Sequence, residues 1–309
     1  MFKVLVLGSA AGGGFPQWNC NCENCSKARA GDPNARPRTQ SSLAVTADGK
    51  RWVLLNASPD LRQQIFENSA LHPQGGLRHT PISATILTNA DIDHSAGLLT
   101  LRESQPFALY ATDRVLGVLS KNSVYDVVNP DFVPRRPLSL DTPENLVDVE
   151  NNDLGLTVTP FAIPGKIALY LEDDTQANFG SVPEDTIGLE VTDTVTSKRF
   201  FYLPGCAAVP EELAERLTGA ELVFMDGTTW TDDEMIRRKV GHKTGHRMGH
   251  MAMNGPEGTI DTFSKFNIAQ KVFIHINNTN PVLLDDSSER AEAEAAGWVV
   301  AHDGLEITP

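Results

Sequence analysis

Cysteine is scarce in this chain, with four residues in 309, and that is too few for the disulfide framework that staples small secreted domains. Cationic residues are also short: 26 Lys and Arg stand against 40 Asp and Glu, a formal net charge of −14. That deficit excludes the basic face with which a protein displaces counterions from nucleic acid. It also leaves anionic membrane surfaces without a reason to attract the chain. No apolar run reaches 18 residues, so a membrane-spanning helix is not expected. The opening MFKVLVLGSAAGGG has no basic flank and breaks at glycines, so it reads as a first strand and loop and not as a secretory leader. These absences suit a single soluble cytoplasmic domain spanning 1–309, whose oligomeric state is open, a homodimer included.

Apolar residues make up 40% of the chain, enough for a sizeable core. Strand-like runs occur at 3–9, 41–58 (a hairpin turning at Asp48–Gly49–Lys50), 83–90, 107–112, 154–164, 186–193, 198–205, 221–227, 270–278 and 298–304. Helical patterns fall at about 59–68, 95–104, 113–121, 210–218, 257–266 and 287–296. Hairpin-like strand pairs closed by helices fit two sheets packed face to face with helices outside, a four-layer αββα sandwich. No repeat and no low-complexity linker divides the chain.

The scarce cysteines are bunched. WNCNCENC (18–25) places Cys20, Cys22 and Cys25 close enough to share one ion, and zinc wants a fourth ligand from elsewhere. Cys206 follows aromatics at a strand end, where a small buried residue is the ordinary occupant. The glycines before the cluster do not form a phosphate loop, because Phe15 and Pro16 follow Gly14 where Lys and Ser or Thr would be needed.

Other polar groups gather at strand ends. TNADIDHSAGL (88–98) brings Asn89, Asp91, Asp93 and His94 together, either as a metal site or as an Asp helix cap beside a surface histidine. Asp226 ends the apolar strand in FMDG, and His275 reads as lying inside the strand FIHINN. VGHKTGHRMGHM carries His242, His246 and His250 at four-residue spacing, but Gly241, Gly245 and Gly249 favour a loop over a helix.

With these residues the chain resembles the metallo-β-lactamase superfamily, whose metal motif is His-x-His-x-Asp-His followed by a lone His, a lone Asp and a last His. NADIDH matches its second half. Asp93, His94, Asp226 and His275 match, while Asn89, Asp91 and Lys166 stand where histidines are expected. Across GSAAGGGFPQWNCNC, RTQSS, NASPDLRQQ, DGTTW, MGHMAMNGPEGT and HINNTNP the resemblance is closer, to the coenzyme PQQ synthesis protein B family.

That resemblance implies a structural zinc on Cys20, Cys22 and Cys25, with Asn278 at the position of the fourth ligand and water or a nearby histidine as the alternatives. It also implies one active-site metal on Asp93, His94, His275 and Asp226, with the superfamily's first metal site left vacant. Two histidines and a carboxylate with open positions suit non-haem Fe(II), although other divalent metals remain open. The implied activity is Fe(II)- and O2-dependent hydroxylation of the tyrosine ring in the peptide-derived glutamate–tyrosine precursor of pyrroloquinoline quinone (PQQ). Two alternatives are a carrier that moves PQQ or its precursor toward the periplasm and a metallohydrolase of a small acidic substrate. His250, expected at a helix start, is the candidate proton donor or acceptor. Lys166 is expected to offset Asp91, and Arg38, Arg62 and Lys166 are the candidate cations for the carboxylates of a small-molecule or short-peptide substrate.

Overall fold

The computed structural model describes all residues from Met1 to Pro309. The first half of the chain forms β1 (Lys3–Gly8), β2 (Ser42–Thr46), β3 (Trp52–Leu55), β4 (Ile82–Ile86), β5 (Ala108–Thr112) and β6 (Arg135–Leu138). The second forms β7 (Glu144–Val147), β8 (Asp153–Ala162), β9 (Ile187–Asp193), β10 (Arg199–Leu203), β11 (Leu222–Asp226), β12 (Gln270–Ile274) and β13 (Trp298–Val300). A last strand, β14 (Glu306–Ile307), returns to the edge of the first sheet beside β1. The two seven-stranded sheets run β14-β1-β2-β3-β4-β5-β6 and β13-β12-β11-β10-β9-β8-β7.

Burial follows position in the sheets. SLAVT of β2 and WVLL of β3 are buried at every residue, because one face meets the other sheet and the opposite face meets helices. β8 alternates, with Leu154, Leu156 and Val158 turned inward. The inter-sheet core joins Val4, Val45, Leu55 and Ile86 of the first sheet to Val191, Phe200, Phe224 and Ile274 of the second. Separate apolar clusters fill the outer face of each sheet under the helices. The result is the expected αββα sandwich.

The helices are short: α1 (Glu23–Arg29), α2 (Leu61–Glu67), α3 (Ile92–Ser95), α4 (Asp113–Ser120), α5 (Glu211–Leu217), α6 (Glu234–Arg237), α7 (Thr259–Phe263) and α8 (Ser288–Ala295). Side-chain caps start two of them, with Thr112 accepting from the Val115 N–H and Ser287 from the Arg290 N–H. No helix is long and apolar enough to cross a membrane.

Three local expectations are corrected. The helical pattern at 95–104 is a tighter turn, Ala96–Leu101, following α3. His275 lies one residue beyond β12, with φ of 57°, so the apolar residues around it mark a sharp bend and not a continuing strand. His250 does not begin a helix: it follows the turn His246–Met248, and α7 starts only at Thr259.

The parallel pairs β3–β4–β5 and β10–β11–β12 bring strand ends of both sheets to one rim. Loops from that rim carry the polar residues singled out above, as usual where parallel strands end.

Candidate metal centre and substrate cavity

A cavity of about 440 Å³ opens at this rim. Asn89 and Asp91 reach it from the loop after β4, Asp93 and His94 from α3, His250 from the loop before α7, and His275 from just past the end of β12. Lys166, Leu169, Lys243 and Met248 form the outer wall.

His275 stands at the centre. Its Nε2 lies 3.1 Å from Asp93 Oδ2, and its ring centroid is 5.2 Å from those of both His94 and His250. Thr228, two residues past β11, holds its other side. The Thr228 hydroxyl has one proton and its strongest acceptor is the Asp226 carboxylate, 2.6 Å away. The oxygen therefore accepts from His275 Nδ1 at 2.9 Å, which leaves His275 Nε2 directed at Asp93 and the cavity. The left-handed backbone of His275 is braced as well: the Ile276 N–H donates to the Ser9 carbonyl and the Asn277 N–H to the Thr228 carbonyl, each at 3.0 Å.

His94 is oriented in the same manner, with Nδ1 3.0 Å from Asn89 Oδ1. Its buried Nε2 has no hydrogen-bond partner and lies 4.0 Å from Asp93 Oδ2. An unpartnered ring nitrogen aimed at a carboxylate is what a metal ligand looks like before the cation arrives. Burial lowers the His94 pKa to about 4, so this nitrogen offers a lone pair at neutral pH. Burial opposes charge on His275 too, but the hydrogen bond and the charge of Asp93 raise its pKa. Burial also works against ionised Asp93, yet the adjacent histidines hold it well below the usual carboxylate range.

Two overlapping donor sets result: Asp93, His94 and His275, and Asp226, His250 and His275. His250 Nδ1 approaches Asp226 Oδ2 to 2.6 Å, and the Cys206 N–H donates to the same oxygen at 3.0 Å. Asp226, expected with the first set, has His250 as its partner in the fold. Sequence spacing had no means to show this, because a glycine-rich loop delivers His250.

Gly12 lies against the other side of Asp93, where an added Cβ would stand 3.2 Å from Oδ2. The glycine run thus allows the backbone to close over Asp93 before entering the cysteine loop.

Cys20, Cys22 and Cys25 converge as a third donor set, with Cys25 buried on α1. Asn278, three residues past His275, places Nδ2 3.3 Å from Cys25 Sγ and 3.7 Å from Cys22 Sγ. Turning that amide over would present Oδ1 to a cation instead. Asn24 ties the same loop down by donating to the carbonyls of Asn278 at 3.1 Å and Asn280 at 3.0 Å. Burial pushes the Cys22 thiol up to about 12, so a bound cation is needed to hold all three sulfurs as thiolates. Cys206 is buried apart from this cluster, and its thiol donates to the Ala208 carbonyl.

The chain is 53% identical over 305 residues to the coenzyme PQQ synthesis protein B of Xanthomonas oryzae pv. oryzae, covering 99% of each chain. It belongs to the coenzyme PQQ synthesis protein B family. The Methylorubrum extorquens member is 54% identical over 304 residues, covering 98% of this chain and 99% of its own. The crystal structure of Zn2+-bound PqqB from Methylobacterium extorquens superposes with a TM-score of 0.93 at 54% identity, covering 99% of this chain and 100% of that one. The Beta-lactamase superfamily domain profile matches residues 51–276. A diphosphatase of the PhnP family, with a TM-score of 0.69 at 22% identity over 99% of this chain and 96% of its own, shares the fold.

Within this family frame the departures from the superfamily motif have visible roles. Asn89 orients His94. Asp91 accepts the Leu169 N–H at 3.0 Å, while burial and neighbouring Asp93 raise its pKa to about 6. Lys166 makes its direct ion pair with Glu172 and not with Asp91, while its charge still works against the rise in the Asp91 pKa, as expected of an offsetting cation. Arg38 and Arg62 do not line the cavity. Arg38 is 4% exposed and donates to the Ala301 carbonyl, and Arg62 lies exposed on α2. His242 and His246 stay outside the cavity on the loop.

Proposed function

We propose that the chain acts in PQQ biosynthesis as an Fe(II)- and O2-dependent hydroxylase of the tyrosine ring in the peptide-derived glutamate–tyrosine precursor. One observation carries the reading: a cavity of about 440 Å³ centred on two histidines and a carboxylate, with a buried His94 nitrogen that lacks a partner. That donor set is of the kind that holds non-haem iron, and the volume falls in the range of small-molecule sites. The names of the family's members support the pathway.

Asp93, His94 and His275 would hold the iron, while Asp226 is engaged by His250 in the adjoining donor set. Bound iron would supply the one-electron chemistry that makes O2 reactive toward an aromatic ring. Replacement of a ring C–H by C–OH uses one atom of O2 and reduces the other to water, so an external reductant must deliver two electrons and two protons. Asn89 and Thr228 fix the two histidine rings, which keeps the donor atoms aimed at one place. His250, hydrogen-bonded to Asp226 and lining the cavity, is positioned to take up or release a proton there. Cys20, Cys22 and Cys25 with Asn278 are assigned a structural zinc, which would clamp the loop that carries His275. In this reading the protein works in the cytoplasm on a small molecule or short peptide.

The test is reconstitution with Fe(II) in the absence of O2, followed by addition of O2, ascorbate and the cross-linked glutamate–tyrosine compound. Substrate-dependent O2 uptake by the iron form alone supports the proposal. Tight binding without turnover would favour a carrier, and O2-independent cleavage of simple esters would favour a hydrolase.

A further inference from the structure

One carboxylate behind two of the lysines that line the cavity has more cationic partners than an ion pair requires. Glu172 is 8% exposed and pairs with Lys166, with Arg247 at 3.1 Å and with Lys243 at 3.8 Å. Asp174 also reaches Arg247, at 3.3 Å, but its side chain is 82% exposed and water screens it. Three cations therefore surround one well-buried carboxylate in a chain of net charge −14.

Position gives this surplus a direction. Lys166 and Lys243 both line the cavity that holds Asp93 and His94. Gly249, with φ of 92°, lies under the Lys166 stem, where an added Cβ would stand 3.1 Å from Cγ. Arg247 lies over the Phe179 ring at 3.7 Å, which fixes its plane, and its buried Nη1 has no hydrogen-bond partner. A pair serving only the loop would need neither Lys243 nor the spare Arg247 donor.

We propose that Lys166 and Lys243 form a subsite that reads carboxylates of the ligand, with Arg247 behind them and Glu172 as an internal occupant that a ligand carboxylate replaces. The ligand class is a polycarboxylate with one uncharged end. Asp91 and Asp93 repel its carboxylates from the inner end of the cavity, and the cationic wall draws them outward. The uncharged end is thereby turned toward His94 and His275. Exchange of one carboxylate for another keeps the cations neutralised, so the ligand does not have to strip them of all partners. Glu172 sits in an irregular segment, between the turns Leu169–Leu171 and Ala177–Gly180, which can give way without breaking a sheet.

The inference rests on reading the cavity as the ligand's place, and its test is kept separate from the reaction. Binding of the cross-linked glutamate–tyrosine compound and of its carboxamide form is measured by calorimetry on the full-length zinc-loaded protein without O2. The carboxamide form should bind roughly tenfold more weakly or worse. Lys243→Met, at a half-exposed side chain that does not endanger folding, should weaken the acid form roughly two- to fivefold and narrow the gap between the two forms. Glu172→Gln should bind the acid form roughly threefold more tightly, since the competitor has lost its charge. If the gap between the two forms is the same in wild type and Lys243→Met, the subsite is refuted, whether or not Glu172→Gln folds. Binding with these shifts but no hydroxylation would sink the proposed reaction and leave the subsite standing. Hydroxylation with no shift in either variant would do the reverse.

Discussion

Replacing Thr228 by valine removes one hydroxyl that the site uses several times. Thr228 is 3% exposed, and its oxygen contacts Asp226 at 2.6 Å, His275 Nδ1 at 2.9 Å and His250 Nδ1 at 3.1 Å. A hydrogen bond to an ionised carboxylate contributes about 1.5–3 kcal/mol, and a buried ring nitrogen left without a partner costs about 1–3 kcal/mol. Asp226 keeps the Thr228 and Cys206 N–H groups, which softens the first loss. A net destabilisation of about 3 kcal/mol is therefore expected in urea unfolding of the metal-free protein. Freed from Thr228, the His275 ring can rotate, and loss of such an outer-shell partner weakens a metal about 10- to 100-fold, which a chelator-competition titration reads. Thr228→Ser should restore both properties. Thr229 next door provides the control: its buried hydroxyl has no partner, so Thr229→Val should be neutral or slightly stabilising. If Thr228→Val and Thr229→Val behave alike in both assays, Thr228 does not position His275.

His94→Ala should empty the cavity of its metal and leave the cysteine-bound zinc, as read by metal analysis and anomalous scattering; two fully occupied metals in the wild-type cavity would contradict the single-site account. Cys22→Ser should remove one zinc per chain and lower the melting temperature, because the cluster pins the loop carrying Asn278 and Asn280. Glu234, with its carboxyl raised to about 7 by burial, should make stability depend on pH. Between its ordinary value and about 7 the folded state holds a proton that the unfolded state has lost, so stability falls as pH rises through that window. Its share of the slope, up to about 1.4 kcal/mol per pH unit, should disappear in Glu234→Gln, and an unchanged slope would exclude Glu234 as the source.

Much of this arrangement was legible in the sequence where burial or spacing writes it directly. β2 and β11 are buried at every residue because both faces are covered, and their apolar centres stand out as strands. Asp93 and His94 are adjacent at the end of such a strand, and Asp226 closes another. The edge strands RRPL of β6 and ENLV of β7 leave one side open and lack an apolar signature, so the sequence does not mark them, in contrast to the edge strand WVV of β13. Helix α1 does not stand out either: its seven residues ENCSKAR bury only Asn24, Cys25 and Ala28, too short a stripe to show helical periodicity. The pairing of His250 with Asp226 depends on a left-handed Gly249 and a loop path that no spacing encodes. Lys166 found its direct partner, Glu172, six residues away on an irregular segment that the metal motif does not include. Arg38 looked like a free cation at a strand end, yet the chain's last turns bury it against Ala301.

The most direct test of the central claim is the origin of the oxygen in the product. Iron-loaded protein, the cross-linked glutamate–tyrosine compound and ascorbate are incubated under isotopically labelled O2, and the product is read by mass spectrometry. The expected product is a tyrosine ring carrying one labelled oxygen, formed by wild type and not by His94→Ala. A product carrying oxygen only from water, or an equal yield from the zinc-loaded protein, would contradict the claim.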